Sequence, residues 1–175
     1  MFASNGYPRT TINEIAANAE VGVNTVYTVF GTKANLLATL VTDAVANPVI
    51  ACTLPAESKT GPTVIGNLAQ LVRDNTERGY AIHHIGSQNA RADPQIADAM
   101  HTVLTKIRHE MRRATQRLVD LGALSSDLSL DDGTDILYFY LGPPAWQSLF
   151  DLGWSLDRAH DFLAAQTRRA LLRCG

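Results

Sequence analysis

Five histidines and two cysteines are the side chains of this sequence best suited to hold a metal ion, and their spacing speaks against that use. His83 and His84 are neighbours, so on a helix their side chains diverge by about 100° and do not converge on one ion. His101 and His109 stand two helical turns apart, His160 is alone, and neither CxxC nor HxxxH occurs. Covalent chemistry is no better served. Ser87 follows Gly86 but lacks the Gly-x-Ser-x-Gly elbow that exposes a nucleophile, and the glycine patterns that cradle phosphates are absent. Asp131, Asp132 and Asp135 stand where a helix starts, a position in which carboxylates complement the dipole. Arg108, Arg112, Arg113 and Arg117, interleaved with Glu110 and Asp120, read as a solvated helix face. No catalytic residue, metal or cofactor is therefore expected. What remains is recognition chemistry. The run Val23-Asn24-Thr25-Val26-Tyr27-Thr28-Val29-Phe30 offers amide, hydroxyl and methyl groups of the kind that read base edges in a major groove.

The elements that would position that run are helices. Thr11-Ile12-Asn13-Glu14 has the form of a capping box and opens a short helix to about Ala19. A second spans Val23 to Phe30, with Val26 and Phe30 inward, and Gly31 stops it. Thr32 caps a third that carries Leu36, Leu37, Leu40, Val41 and Ala44 until Asn47-Pro48 ends it. Residues 47–63 hold three prolines, Ser58 and Gly61, and read as a boundary between domains. Beyond it we expect a helix from Thr63 to Arg78 ended by Gly79, and another over Tyr80–Ala90. A long helix opened by Asp93-Pro94 shows the stripe Ile96, Met100, Val103, Ile107, Met111, Ala114, Leu118 and Leu121 and ends at Gly122. A helix over Leu130–Leu152 is bent at Gly142-Pro143-Pro144, and a last one capped by Ser155 carries Leu156, Ala159, Phe162, Leu163 and Ala170. The fold class is all-α: small helices over residues 1–46, then a larger helical bundle over 47–175.

Composition bounds the partners. The chain has 175 residues, 46% apolar and 18% charged, with a formal net charge of −2, which suits a packed core. Residues 1–46 carry Arg9 and Lys33 against Glu14, Glu20 and Asp43, so DNA binding must rest on motif and geometry and not on a basic patch. No stretch approaches the roughly 18 apolar residues that cross a bilayer, and the opening residues lack a signal pattern. Cys52 and Cys174 lie far apart and read as free thiols. A cytoplasmic location without membrane contact is expected.

The pattern Thr11-Ile12, Ile15-Ala16, Ala19-Glu20-Val21-Gly22, Thr25-Val26-Tyr27, Phe30, Thr32-Lys33 and Leu36-Leu37 resembles the helix-turn-helix of the tetracycline-repressor (TetR) family. Small Ala16 and Ala19 let two helices approach closely, Val21 plugs the turn, and Gly22 stands where the family usually has a serine cap. Glu20 occupies a place where the family commonly has glycine, so a positive φ there would strain it by about 1 kcal/mol. By difference Val23, Asn24, Thr25, Tyr27 and Thr28 are the groove-facing candidates. The resemblance gives Tyr27 a backbone contact, and Thr11 and Lys33, at helix N-termini, suit phosphate.

The resemblance implies more. The last two helices would pair with those of a second subunit, with Phe162 and Leu163 in the contact. The chain would be a homodimeric repressor that leaves double-stranded operator DNA when a small apolar or aromatic effector binds. Leu68, Leu71, Met100, Leu104, Ile107, Met111 and Trp146 would line the effector pocket, with His83, His84, Tyr138 or Tyr140 supplying polar contacts. Periodicity alone does not separate such a lining from a filled core. Family members carry a complete amphipathic helix before the Gly-Tyr turn. Here only Phe2-Ala3-Ser4-Asn5 precedes Gly6-Tyr7, so the sequence is expected to enter at that helix's last turn, with Ile15 and Leu40 partly uncovered and DNA binding weakened.

Overall fold

A computed structural model describes residues 1–46 and 59–173. Cys52, Cys174 and most of the expected boundary segment lie outside the described residues. Among those described, the chain is helical, with one isolated bridge between Leu124 and Leu172 in place of any strand. In chain order the helices are α1 (Phe2–Asn5), α2 (Ile12–Asn18), α3 (Val23–Phe30), α4 (Lys33–Ala46), α5 (Gly61–Asn89), α6 (Pro94–Asp120), α7 (Leu130–Leu141), α8 (Pro143–Asp151) and α9 (Leu156–Leu171). No helix among the described residues is long and apolar enough to cross a membrane.

Two expectations about elements are corrected. The helices expected over 63–78 and 80–90 are one helix, α5, because Gly79 is helical and does not stop it. An interior glycine costs only about 1 kcal/mol against alanine, too little to end a helix of 29 residues. The single bent helix expected over 130–152 is two helices. Gly142 is extended (φ −72°, ψ 163°) and serves at once as C-cap of α7 and N-cap of α8, whose first residue is Pro143. Any side chain at Gly142 would collide with the carbonyl oxygen of Tyr138.

The chain forms two compact units. Unit 1 comprises Met1–Asn47 and Gly79–Leu104, and unit 2 comprises Pro48–Arg78 and Thr105–Gly175. In unit 1 the core is Ala16, Val26, Leu37, Val41, Ile96 and Val103 with their buried neighbours. Here the helices meet closely at Gly86: a Cβ there would lie 2.8 Å from both Met100 Sδ and Val41 Cγ2.

Unit 2 has a continuous apolar core of Val64, Ile65, Leu68, Met111, Leu118, Leu137, Leu141, Trp146, Leu163 and Leu171, among others. α7 packs on α8 and α9. α7 starts with a capping box: Ser129 Oγ accepts from the Asp132 amide, and the Asp132 carboxylate accepts from Ser129's hydroxyl and amide. Those two bonds, the hydroxyl's first, hold the Asp132 carboxyl below the usual carboxylate range. The arginine face of α6 is paired differently from the expected balance with Glu110 and Asp120. Arg113 does reach Glu110 (3.1 Å), but Arg108 pairs with Asp135 of α7 (2.5 Å) and Arg112 pairs with Asp131 of α7. All four of those side chains on α6 and α7 are more than half exposed, so the ladder orients the helices more than it stabilises them.

Candidate functional site

The helix-turn-helix of unit 1 is built from three local devices. Thr11 caps α2: its hydroxyl oxygen accepts from the Glu14 amide (3.2 Å), and Glu14 Oε2 accepts from Thr11's amide (2.8 Å) and hydroxyl (2.9 Å). The amide bond, then the hydroxyl bond, pull the Glu14 carboxyl below its ordinary range. At the other end of α2, Glu20 N–H donates to Ala17 O (3.2 Å) and Val21 N–H to Ala16 O (3.0 Å). That bond pair is a Schellman motif with Glu20 at the left-handed position. Its φ is 55°, and it is the one non-glycine with positive φ among the described residues. The third device closes the turn between α3 and α4. Gly31 is left-handed (φ 69°), Asn35 Nδ2 donates to Phe30 O (2.9 Å), and Thr32 Oγ1 accepts from the Asn35 amide (3.0 Å).

These devices hold α3 with Val26 buried and Phe30 half-buried against the neighbouring helices. Its outer face presents Asn24, Thr25, Tyr27 and Thr28, all exposed as expected. Val23 is half-buried, so it sits at the edge of that face and not on it. Val29, which the sequence reading did not select, is 63% exposed. At 100° per residue it stands on the flank of the helix, about 80° from the centre of the buried side, as Tyr27 does on the opposite flank. Thr28 Oγ1 donates to Asn24 O (2.8 Å), so the hydroxyl hydrogen is spent within the helix. Gly22, the N-cap of α3, supplies no side-chain acceptor to the first-turn amides.

Lys33 departs most from its expected role. Its ammonium donates to Tyr7 O (2.9 Å), Thr10 O (3.0 Å) and, at 3.5 Å, Pro8 O, and lies 4.5 Å from the centre of the Tyr7 ring. All three of its protons are therefore used inside unit 1, where they fix the 7–10 loop against α4. The Tyr7 phenol is pushed above its ordinary range by burial and by Asp93. Thr11 is also engaged, since a carboxylate already occupies the N-terminus of α2. Ile15 is half-buried and Leu40 is 38% exposed.

The expected effector residues divide between the units. Met100 is buried in the seam beside Gly86, and Leu104 is half-buried. His83 Nε2 and His84 Nδ1 are buried without a hydrogen-bond partner, while His84 Nε2 meets Gln88 Nε2 at 2.9 Å and its ring stacks on Tyr80. Burial, then the neighbouring His84, push the His83 imidazole below its ordinary range. In unit 2, Leu68, Met111 and Trp146 belong to the packed core, with Leu71, Ile107, Tyr138 and Tyr140 against it. Trp146 Nε1 is buried and also unpartnered.

Tyr138 has a second neighbourhood. With Asp135, Phe139, Tyr140, Leu149, Phe162 and Leu163 it lines an open groove of about 470 Å³ on α7, α8 and α9, edged by Arg108 of α6. Its phenol is raised by burial, with Arg108 acting in the other direction. Phe139 is 71% exposed and Phe162 40%, whereas Leu163 turns into the core. The expected pair Phe162 and Leu163 thus splits between surface and interior. Among the described residues no group of three or more histidine, cysteine, aspartate or glutamate side chains is arranged to hold a metal.

The model of bacterial regulatory proteins of the tetR family matches residues 1–40, the span that contains the capping box, the Schellman turn and α3. These residues are a TetR-type helix-turn-helix domain. Solved structures extend the likeness of fold beyond that domain. A transcriptional regulator from Saccharomonospora viridis in complex with choline is 16% identical, with a TM-score of 0.79 over 99% of this chain and 92% of that one. FadR from Bacillus subtilis, in complex with stearoyl-CoA, is 13% identical, with a TM-score of 0.77 over 97% and 92%. The TetR-family regulator PfmR from Thermus thermophilus is 16% identical, with a TM-score of 0.66 over 97% and 92%. No curated protein matches the sequence.

Proposed function

We propose that this chain is a TetR-type transcriptional repressor that binds double-stranded operator DNA as a homodimer and releases it when a small apolar or aromatic effector binds. The observation that carries the reading is the coincidence of two things in one segment. The TetR-type match covers residues 1–40, and within it α3 keeps its polar face exposed while Val26 anchors the other side. In this reading Asn24, Thr25 and Thr28 meet base edges, Tyr27 meets the DNA backbone, and the uncapped amides of α3 favour a phosphate. Lys33 acts by positioning the 7–10 loop, and Thr11 by capping the start of α2.

The partner for the groove on α7–α9 is a second copy of the chain. Two exposed phenylalanines and the flanking Leu149 would be covered together in a two-fold contact, which also supplies the second half-site reader. Effector binding falls to unit 2 around Leu71, Ile107, Tyr138 and the core they cover, where Trp146 Nε1–H is a buried donor in want of an acceptor. Occupants as unlike as choline and stearoyl-CoA in similar folds support a small-molecule role without naming the molecule. An effector that prefers one of two conformers shifts the population away from the DNA-competent one.

The test separates base reading from backbone holding. Genomic DNA captured by the purified protein supplies a specific duplex, and Tyr27→Ala and Asn24→Ala are then titrated on it and on random DNA. Tyr27→Ala is expected to weaken both alike, and Asn24→Ala to relax preference at one position by about 1–3 kcal/mol. Equal losses on both duplexes from both variants refute the assignment of α3.

A further inference from the structure

We propose that α3 reads a half-site core of A·T pairs, mainly through the C5 methyl groups of thymine, an inference that rests on the DNA-binding reading above. The exposed side chains of α3 are Asn24, Thr25, Tyr27, Thr28 and Val29. None is charged. A helix that reads guanine does so most often by an arginine or lysine fork on O6 and N7, and cytosine is commonly met by a carboxylate on N4. α3 offers neither. Its one amide, Asn24, carries the donor and acceptor pair that matches N7 and N6 of adenine.

Besides Asn24 and the hydroxyls of Thr25 and Tyr27, the face offers methyl groups. Counted at 100° per residue, Thr28 lies at the centre of the outer face, opposite the buried Val26 and half-buried Phe30. Its hydroxyl hydrogen goes to Asn24 O at 2.8 Å. What it has left for a base edge is a lone pair and a methyl group. Val29, at 63% exposure, adds two more methyls one residue further on. A valine held open to water on a recognition surface loses nothing by meeting an apolar atom, and thymine C5 is where the major groove supplies one. The internal bond of Thr28 has a second effect. It pins the threonine rotamer, so the methyl direction is fixed before DNA arrives and little side-chain freedom is lost on contact.

Burial of one methyl is worth about fourfold in affinity. Two or three such contacts with one adenine pair discriminate A·T from G·C cores by two orders of magnitude or more, without an ion pair.

The experiment uses the full chain. Duplexes enriched from a random pool are resynthesised with deoxyuridine in place of each thymidine in turn, which deletes one methyl and leaves every hydrogen-bonding group intact. Expected are an A·T core and a loss of about fourfold at two or three positions. Thr28→Ser keeps the bond to Asn24 and removes the methyl. It is expected to weaken the thymine duplex by the same factor and to have no effect on the duplex with uracil at the facing position. A G·C core, or deoxyuridine neutral at every position, overturns this inference and leaves the DNA-binding reading standing. Failure to enrich any sequence overturns both.

Discussion

Glu20 is where local backbone geometry and residue type disagree, and the disagreement has a size. Residue 20 closes the Schellman motif that ends α2, with φ at 55°. For an L-residue with a Cβ, that conformation costs roughly 1–2 kcal/mol relative to the right-handed one. Glycine escapes the clash but surrenders about 0.5–1 kcal/mol of additional chain entropy on folding. The two ranges differ by about 0–1.5 kcal/mol, and their midpoints leave Glu20→Gly more stable by about 0.7 kcal/mol. At the chain's length, that corresponds to a rise of roughly 1–4 °C in the melting temperature. The carboxylate forms no ion pair among the described residues that the change would break. Glu20→Ala is the control, since alanine keeps the Cβ and therefore the strain, and removes the charge. The assay is thermal unfolding followed by circular dichroism, together with hydrogen exchange of the amides of Ala17–Val21, so that a gain is traced to the turn. If Glu20→Gly melts no higher than Glu20→Ala, backbone strain is not what residue 20 contributes, and the reasoning is wrong.

Two further outcomes are expected. Phe139→Asp and Phe162→Asp should yield folded monomers by light scattering, because each removes an exposed aromatic worth about 1.5–3 kcal/mol when covered. Leu163→Asp should instead unfold unit 2, and a wild-type monomer at micromolar concentration would sink the groove as a dimer contact. The depressed His83 imidazole means that the unfolded chain binds more protons than the folded one below the ordinary value near 6.5. Stability should therefore be full above about pH 6.5 and fall as pH drops toward the folded value, a dependence that His83→Leu flattens. A stability curve that is level from pH 7 down to pH 5 in the wild type would contradict the burial argument.

Much of the helix-turn-helix was legible because its devices are local. The Thr11–Glu14 capping box and the stop at Gly31 stand where the spacing placed them, and the positive φ at Glu20, fixed by bonds within five positions, stands where the family resemblance implied one. What the sequence concealed depends on partners distant along the chain. Gly79 reads as a helix end, yet it continues α5, because the preference of one glycine against a helix is weak, about 1 kcal/mol, and does not by itself stop one. Lys33 looks like a phosphate contact until the carbonyls of Tyr7, Pro8 and Thr10 are seen to converge on it. Phe162 and Leu163 are adjacent apolar letters, and only the position of α7 decides which faces in. The effector residues were the least legible, since a cavity lining and a filled core follow the same helical period.

The seam at Gly86 constrains how this protein can vary over evolutionary time. A Cβ at that position would stand 2.8 Å from Met100 Sδ and 2.8 Å from Val41 Cγ2, so residues 41, 86 and 100 share a fixed volume at a core density that leaves no slack. Drift at any one of them is tied to the other two. A lineage that acquires alanine at 86 needs room made at both 100 and 41 in the same lineage, and one that keeps glycine is free to keep methionine and valine. Three positions far apart in the chain should therefore change together in descendants of this sequence, and a lone Gly86→Ala should be rescued by Met100→Ala more than the separate effects of the two would allow.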